Sequence, residues 1–291
     1  MSPERTETIV VHRGHGLPYS KGLMAQSLSA TGMSPARAFE LARIVERRLA
    51  EATLPEVGVQ QLRELTEEVL LAEEGEAAVR RYQDWRRLDR LDRPLVVLLA
   101  GTTGVGKSTL ATMLAARLGV TRVIATDVIR QVLRAFFTHE AMPSVHYSAF
   151  ETGGIEGYLT HALRLGTAVA AIVERAADEG TPILVEGVHL LPGSLDEVLR
   201  GRCVLVEALL VVRDPELHRG HFSARPDTRP PQRYLEGFEE IRELQDHLDS
   251  RAREEGVPVI DNQNVDETLT ALMGLVLDAV GELRNIQPEV T

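Results

Sequence analysis

The sequence has one cysteine, few aromatic residues and no long apolar run. Cys203 is the single cysteine among 291 residues, and aromatic residues make up 4%. One thiol cannot close an intramolecular disulfide, so a disulfide-stapled scaffold is excluded and a cytoplasmic location is expected. The scarcity of aromatic rings argues against a base-stacking platform for nucleic acid. We expect no membrane span, because no apolar run approaches the roughly 20 residues that a bilayer requires.

Positive charge is also in deficit. The chain has 32 Lys and Arg residues against 43 Asp and Glu residues, which gives a formal net charge of −11. A broad surface for nucleic acid or for an anionic membrane is therefore excluded. The expected partner is a small anionic substrate, and a homodimer is one candidate assembly. The length favours about two domains.

The first domain is predicted over residues 1–90 and is mostly helical. A short strand at Thr8–Val11 and a turn at residues 13–16 precede segments in which apolar residues recur at three and four positions. The predicted helices are Lys21–Thr31, Pro35–Glu51, Gln60–Leu71 and Gly75–Trp85.

Residues 91–291 are predicted to form an α/β domain, in which a parallel sheet carries helices on both faces. The predicted strands are Leu95–Ala100, Arg122–Thr126, Pro182–Val185, Val204–Val212 and Pro258–Ile260. The predicted helices are Lys107–Leu118, Val128–Phe137, Gly154–Asp178, Leu195–Arg200, Arg233–Glu255 and Asp266–Leu283. Residues 213–233, rich in Arg, His and Pro, show no clear period, and long irregular segments of this kind often form lids.

A phosphate-binding loop follows the first of these strands. Its pattern covers Gly101, Thr102, Thr103, Gly104, Val105, Gly106, Lys107 and Ser108, and Thr109 completes the predicted nucleotide-binding set. Glycines let backbone N–H groups approach phosphate, and the N-terminus of the next helix adds partial positive charge. The pattern predicts Lys107 on the β- and γ-phosphates of ATP and the Ser108 hydroxyl on Mg²⁺. A glycine-rich turn that matches by chance is the disfavoured alternative.

Asp127 follows the second predicted strand, at the sheet edge where α/β folds bind ligands. A carboxylate there can orient or deprotonate an acceptor hydroxyl and help to hold Mg²⁺, so Asp127 is predicted as a catalytic, substrate-binding and metal residue. The alternative is a helix N-cap. Arg130 and Arg134 are four residues apart on the next helix and are predicted to bind an anionic substrate, with exposed helix arginines as the alternative.

Glu186 ends another buried strand and is predicted as a second catalytic carboxylate, able to hold a Mg²⁺-bound water. Gly187 is expected to let substrate approach the backbone. His189 is a further candidate for substrate binding, and a packed or capping histidine is its alternative.

Three more candidates come from later loops. Arg225 and Arg229 lie in the predicted lid and are assigned to substrate binding, whereas a solvated loop is the alternative for each. Asn262 follows the last predicted strand and is assigned to the nucleotide, although Asp-Asn pairs also favour turns.

Taken in order, several blocks resemble the 2-phosphoglycerate kinase family. They are residues 18–23, 27–28 and 32–33, the phosphate-binding loop, residues 124–130, and residues 185–189 with Pro192 and Gly193. The resemblance implies a nucleoside-monophosphate-kinase-like P-loop fold with Lys107, Asp127 and Glu186 in the catalytic crevice. It also implies that arginines such as Arg130 and Arg225 meet the substrate's phosphate and carboxylate. Residues 7–86 more loosely resemble an ATP-cone, a small regulatory nucleotide-binding module.

The sequence therefore predicts an ATP- and Mg²⁺-dependent kinase of a small anionic acceptor, with 2-phosphoglycerate as the expected acceptor and 2,3-diphosphoglycerate as the product. Two alternatives stay open. One is a kinase of another small hydroxyl compound, and the other is a non-catalytic nucleotide-binding switch.

Overall fold

The computed structural model describes residues 8–12, 15–52, 55–195, 197–223 and 232–286, without the side chains of Asp89 and of residues 284–286. Its backbone contacts divide the chain into two compact units. One unit contains the residues up to Arg90 and those from Val276 onward, and the other spans Leu91–Leu275. The domain bounds 1–90 and 91–291 stay a prediction, and the C-terminal residues from Val276 group with the first unit.

The first unit combines a small sheet with helices. Its strands, in the order β2-β1-β3, are β1 (Ile9–His12), β2 (His15–Pro18) and β3 (Glu56–Gly58). Its first four helices are α1 (Lys21–Ser29), α2 (Pro35–Glu51), α3 (Val59–Glu74) and α4 (Glu76–Arg87). The predicted turn is wrong for His15 and Gly16, which begin β2, and residues 13–14 lie outside the described residues. Strands as short and exposed as β2 leave no periodic signal.

The second unit is built on a five-stranded parallel sheet with the order β5-β6-β4-β7-β8. The strands are β4 (Leu95–Gly101), β5 (Arg122–Ala125), β6 (Ile183–Gly187), β7 (Val204–Val211) and β8 (Val259–Asp261). Every residue of β4 and β6 is buried, as expected for central parallel strands. The predicted α/β class is confirmed.

Eight more α-helices lie in the described part of the chain. They are α5 (Lys107–Leu118), α6 (Thr126–Phe136), α7 (Ile155–Glu179), α8 (Glu197–Arg202), α9 (Pro215–Ser223), α10 (Gln232–Glu236), α11 (Phe238–Glu254) and α12 (Val265–Ile286). None of the helices within the described ranges is long and apolar enough to cross a membrane.

Two of the predicted segments differ from the structure. Thr126 starts α6 instead of ending a strand, because the pairing of β5 with β6 stops at Ala125. The segment 213–233 is predicted to be irregular, yet it contains α9, in which His218 and Phe222 are buried. Residues 224–231 of that segment lie outside the described part of the chain.

Candidate active site

The phosphate-binding loop connects β4 to α5 at the carboxyl edge of the sheet. Gly104 and Gly106 have φ angles of 93° and 84°, in the left-handed region that favours glycine. Space is also restricted: a Cβ on Gly104 would lie 2.5 Å from the Phe222 ring, and one on Gly106 would lie 2.6 Å from Nδ2 of Asn262. Both glycines are therefore required by backbone conformation and by packing.

Lys107 and Ser108 open α5 and point to different partners. The Lys107 Nζ donates to the Thr102 carbonyl at 2.6 Å, so the ammonium group folds back over the loop. The Ser108 hydroxyl donates to Oε1 of Glu186 at 2.8 Å. Glu186 is only 6% exposed. The structure thus brings together a hydroxyl and a carboxylate, which are hard oxygen ligands of the kind that Mg²⁺ prefers.

Asp127 lies in the first turn of α6 and does not cap the helix. The N-cap residue is Ala125, which offers no side-chain hydrogen bond. Asp127 instead forms an ion pair with Arg130, with 3.5 Å between Oδ1 and Nε, and its side chain is more than half exposed. The carboxylate is therefore available to a ligand, and the capping alternative does not describe its role. Ser108 and Asp127 as a metal-binding pair stay a prediction.

A cavity of about 500 Å³ opens beside the loop. Its lining residues come from the loop, α6, the segment before α7, the end of β6 and α10; they are Thr103, Asp127, Val128, Arg130, Gln131, Arg134, His146, Ser148, Ala149, Phe150, Val188, Arg233 and Tyr234. Three arginines and one aspartate thus face a space of a size typical for small-molecule sites.

Two of these arginines differ in their contacts. Arg130 donates through Nη1 to the carbonyls of Val145 and Tyr147, at 3.3 and 3.2 Å, and so fixes one wall of the cavity. The guanidinium of Arg134 has no hydrogen-bond or ion-pair partner among the described residues. Arg134 is consequently the cation most available to an anionic ligand. Arg130 instead pairs with Asp127 and holds the two backbone carbonyls of the cavity wall.

Arg233 is one of the cations of the predicted lid and was given no substrate-binding role, yet it lies on the cavity wall. Its Nε donates to Oε1 of Glu151 at 2.6 Å, and its Nη2 contacts the other Glu151 oxygen and the Ser148 hydroxyl. The Arg233 guanidinium holds the pKa of Glu151 below its usual range. The predicted ligands Arg225 and Arg229 lie outside the described residues.

Gly187 and His189 are involved in packing around Thr126. A Cβ on Gly187 would lie 1.8 Å from the Thr126 Oγ1, so the glycine makes room for this side chain. The Thr126 hydroxyl lies 3.0 Å from Nδ1 of His189, and both residues are buried. Neither Gly187 nor His189 lines the cavity. Their contacts fix the start of α6, which carries Asp127 and Arg130.

A second buried histidine packs against the first. The rings of His161 and His189 have centroids 4.6 Å apart, and both are almost fully buried. Burial lowers the pKa of His161 to about 4, and it also lowers the pKa of His189. Both imidazoles are therefore neutral at physiological pH, so His189 offers no cation to a substrate.

We expect Gly187→Ala to disturb the site through the start of α6. The added methyl group would overlap Thr126, and such overpacking costs typically about 1–3 kcal/mol. The melting temperature should fall by several degrees, and the KM for the acceptor should rise. Gly166→Ala is the matched control, because its Cβ would meet nothing within 4 Å and alanine favours the helix. Equal behaviour of the two variants would contradict the assigned packing.

Asn262 and two histidines of α9 contact backbone carbonyls of the phosphate-binding loop. Asn262 is buried, its Nδ2 donates to the Val105 carbonyl at 3.0 Å, and its Oδ1 accepts from Thr268 at 3.0 Å. The His218 Nε2 lies 2.9 Å from the Thr103 carbonyl, and the His221 Nδ1 lies 2.8 Å from the Gly104 carbonyl. Asn262 was predicted to bind the nucleotide, and the two histidines were interpreted as part of a cationic lid. Their spacing of three on a helix was the signal that they share one face.

The sequence is also similar to a protein-family model and to known proteins. Residues 80–267 match the family model described as Zeta toxin. A 2-phosphoglycerate kinase from Methanopyrus kandleri is 34% identical over 282 residues, covering 92% of this chain and 86% of the relative. A 2-phosphoglycerate kinase from Pyrococcus horikoshii is 33% identical over 288 residues, covering 94% and 95%.

The chain belongs to the 2-phosphoglycerate kinase family. The resemblance seen in the sequence blocks is thereby confirmed, as is the P-loop kinase fold of this family member. A solved shikimate kinase from Acinetobacter baumannii, in complex with shikimate, has a TM-score of 0.41 and 19% identity, covering 66% of this chain and 97% of its own. The likeness of residues 7–86 to an ATP-cone stays a prediction.

Proposed function

We propose that this chain transfers the γ-phosphoryl group of ATP to the hydroxyl of 2-phosphoglycerate, giving 2,3-diphosphoglycerate, in the cytoplasm. The observation that carries the proposal is the cavity beside the phosphate-binding loop, in which Asp127, Arg130 and Arg134 face one space. A nucleotide-binding loop next to a small cationic cavity suits a kinase whose acceptor is an anion.

The residues of the loop fit a nucleotide and Mg²⁺. The left-handed glycines, the N-terminus of α5 and the Lys107 ammonium group supply donors and positive charge for phosphates. Ser108 and Glu186 supply neighbouring oxygen ligands for a cation or its bound water. When bound, Mg²⁺ would neutralise charge on the phosphates. Lys107 would hold the transferring group by its charge.

The acceptor would bind by its two anionic groups. 2-Phosphoglycerate carries a phosphate and a carboxylate, and each can take two parallel hydrogen bonds from an arginine. The Arg134 guanidinium, which has no partner among the residues that the structure describes, supports such a contact, and Arg130 adds a second cation on the same wall. The half-exposed carboxylate of Asp127 would accept the hydrogen bond of the acceptor hydroxyl and take its proton as the phosphoryl group arrives.

An acceptor panel with an ADP-release assay tests this function. The panel contains 2-phosphoglycerate, 3-phosphoglycerate, glycerate, shikimate and gluconate, each at saturating ATP and Mg²⁺. We expect the highest kcat/KM for 2-phosphoglycerate and the loss of most of it with glycerate, because glycerate lacks the phosphate that pairs with arginine. A different preferred acceptor would replace the proposed substrate, and turnover that no acceptor changes would favour the nucleotide switch.

Arg134→Gln supplies the matched variant for the same assay. The substitution keeps much of the side-chain length and removes the charge, so the KM for 2-phosphoglycerate should rise about tenfold or more. The KM for ATP should stay close to that of the wild type. An increase in the KM for ATP alone would remove Arg134 from the acceptor site.

A further inference from the structure

Four consecutive carbonyl groups of the phosphate-binding loop each accept a hydrogen bond from a different side chain. Lys107 donates to Thr102 at 2.6 Å and Asn262 donates to Val105 at 3.0 Å. Between them, His218 lies 2.9 Å from the Thr103 carbonyl and His221 lies 2.8 Å from the Gly104 carbonyl. Three of these four donors come from α9 and from the turn after β8, remote in the sequence from the loop.

The chemistry of a carbonyl fixes the state of both histidines. A carbonyl oxygen only accepts, so the nearer ring nitrogen must carry the proton in each pair. His218 is therefore protonated on Nε2 and His221 on Nδ1. Burial lowers the pKa of His218 to about 4, which keeps this imidazole neutral at physiological pH. His218 thus acts as a neutral donor and not as a cation that could meet a phosphate.

Because the peptide bond is planar and trans, the direction of each carbonyl fixes the direction of the amide N–H that follows it. Within one peptide unit, the C=O of a residue and the N–H of the next residue point in opposite directions. A carbonyl held outward therefore turns the following N–H toward the other side of the loop. The amides affected are those of residues 103–106, and within the described residues none of these four N–H groups donates to a protein acceptor.

We propose that His218, His221 and Asn262 are positioning residues that preorganise the amide cradle for the nucleotide phosphates. They do not touch the phosphate; they hold the carbonyls of Thr103, Gly104 and Val105 outward, so that the following amides face it before the nucleotide arrives. A loop whose amides are already oriented loses less conformational entropy on binding. The proposal rests on the proposed function only in taking a nucleotide as the ligand of this loop.

The packing of α9 supports the same role. Phe222 is fully buried, and its ring and the His218 imidazole lie 2.5 and 2.8 Å from the position that a Cβ on Gly104 would take. The two rings stack with centroids 5.4 Å apart, and Phe222 also stacks on Tyr234 with an interplanar angle of 5°. The aromatic stack fixes α9 directly against the loop, so the two histidines are held at the carbonyls they contact.

The test compares His221→Asn with His221→Leu, because the Asn amide nitrogen overlaps Nδ1 of histidine and leucine has no donor. Isothermal titration measures the affinity for ATP with Mg²⁺, and thermal melting measures the fold. We expect about tenfold weaker ATP binding in His221→Leu, equivalent to one lost hydrogen bond, and affinity within about threefold of the wild type in His221→Asn. His221 is only half-buried, so both variants should remain folded.

Two variants of His218 provide a second comparison, so the result does not depend on His221 alone. Gln places its amide nitrogen where His218 has Nε2, so His218→Gln should bind ATP better than His218→Met at similar melting temperatures. Wild-type affinity in folded His221→Leu, or an equal loss in the Asn and Leu variants, would overturn the positioning role. A wild-type protein that binds no ATP would instead overturn the proposed function, so the two failures are distinguishable.

Discussion

Lys107→Ala should lower kcat by at least about 10²-fold, since removal of a preorganised charge from a transition state costs on this scale. The ammonium group folds over the phosphate-binding loop and contacts the Thr102 carbonyl. We expect its charge to stabilise the transferring phosphoryl group, whereas Leu110, Ala111 and Leu114 are buried on the core face of α5. The melting temperature should therefore change by only a few degrees. Single-turnover assays at saturating ATP separate the loss of transfer from weaker ATP binding.

Arg117→Ala is the control for this variant. Arg117 is a basic residue in the last turn of the same helix, at the end away from the loop. Both variants remove one positive charge and a long side chain from α5, so a general effect of charge or helix stability would appear in both. Wild-type kcat in Lys107→Ala would contradict a kinase mechanism at this loop.

Sequence reasoning predicted the parts of the site whose signal is local. The phosphate-binding loop occupies one contiguous stretch, and its position between a buried strand and a helix is itself a local pattern. Glu186 was predicted because a buried apolar run ends at a charged residue, where an unpaired carboxylate would be costly. Its observed partner, the Ser108 hydroxyl, is 78 residues away and could not be read from the pattern.

The remaining contacts depend on tertiary packing. His218 and His221 contact carbonyls 115 and 117 residues away, and Arg233 contacts a carboxylate 82 residues away. Their residue types gave the wrong signal, because histidines and arginines in a Pro-rich stretch were interpreted as lid cations. The burial of His218 shows instead a neutral hydrogen-bond donor. β2 and β3 were missed for another reason: β2 is exposed throughout and β3 buries one residue, so neither has the short apolar run that predicted β1, β5 and β8.

The role of Asp127 divides into charge and shape, and Asp127→Asn separates the two. The amide keeps the size of the side chain and removes the negative charge, so it can no longer take a proton from the acceptor hydroxyl. We expect kcat to fall by about 10²- to 10⁴-fold, which is the usual contribution of general acid–base catalysis. The KM for ATP should change little, and steady-state kinetics with each substrate varied separately provides the measurement.

The fold should tolerate this substitution, and that expectation makes the experiment decisive. Asp127 does not cap α6, and Arg130 keeps its hydrogen bonds to the Val145 and Tyr147 carbonyls when the ion pair is lost. Asp127 is more than half exposed, so solvent screens this ion pair, which contributes about 1 kcal/mol or less. The melting temperature should therefore stay within a few degrees of the wild type while kcat falls. A variant with normal kcat and a raised acceptor KM would make Asp127 a binding group, because a proton acceptor must alter the chemical step.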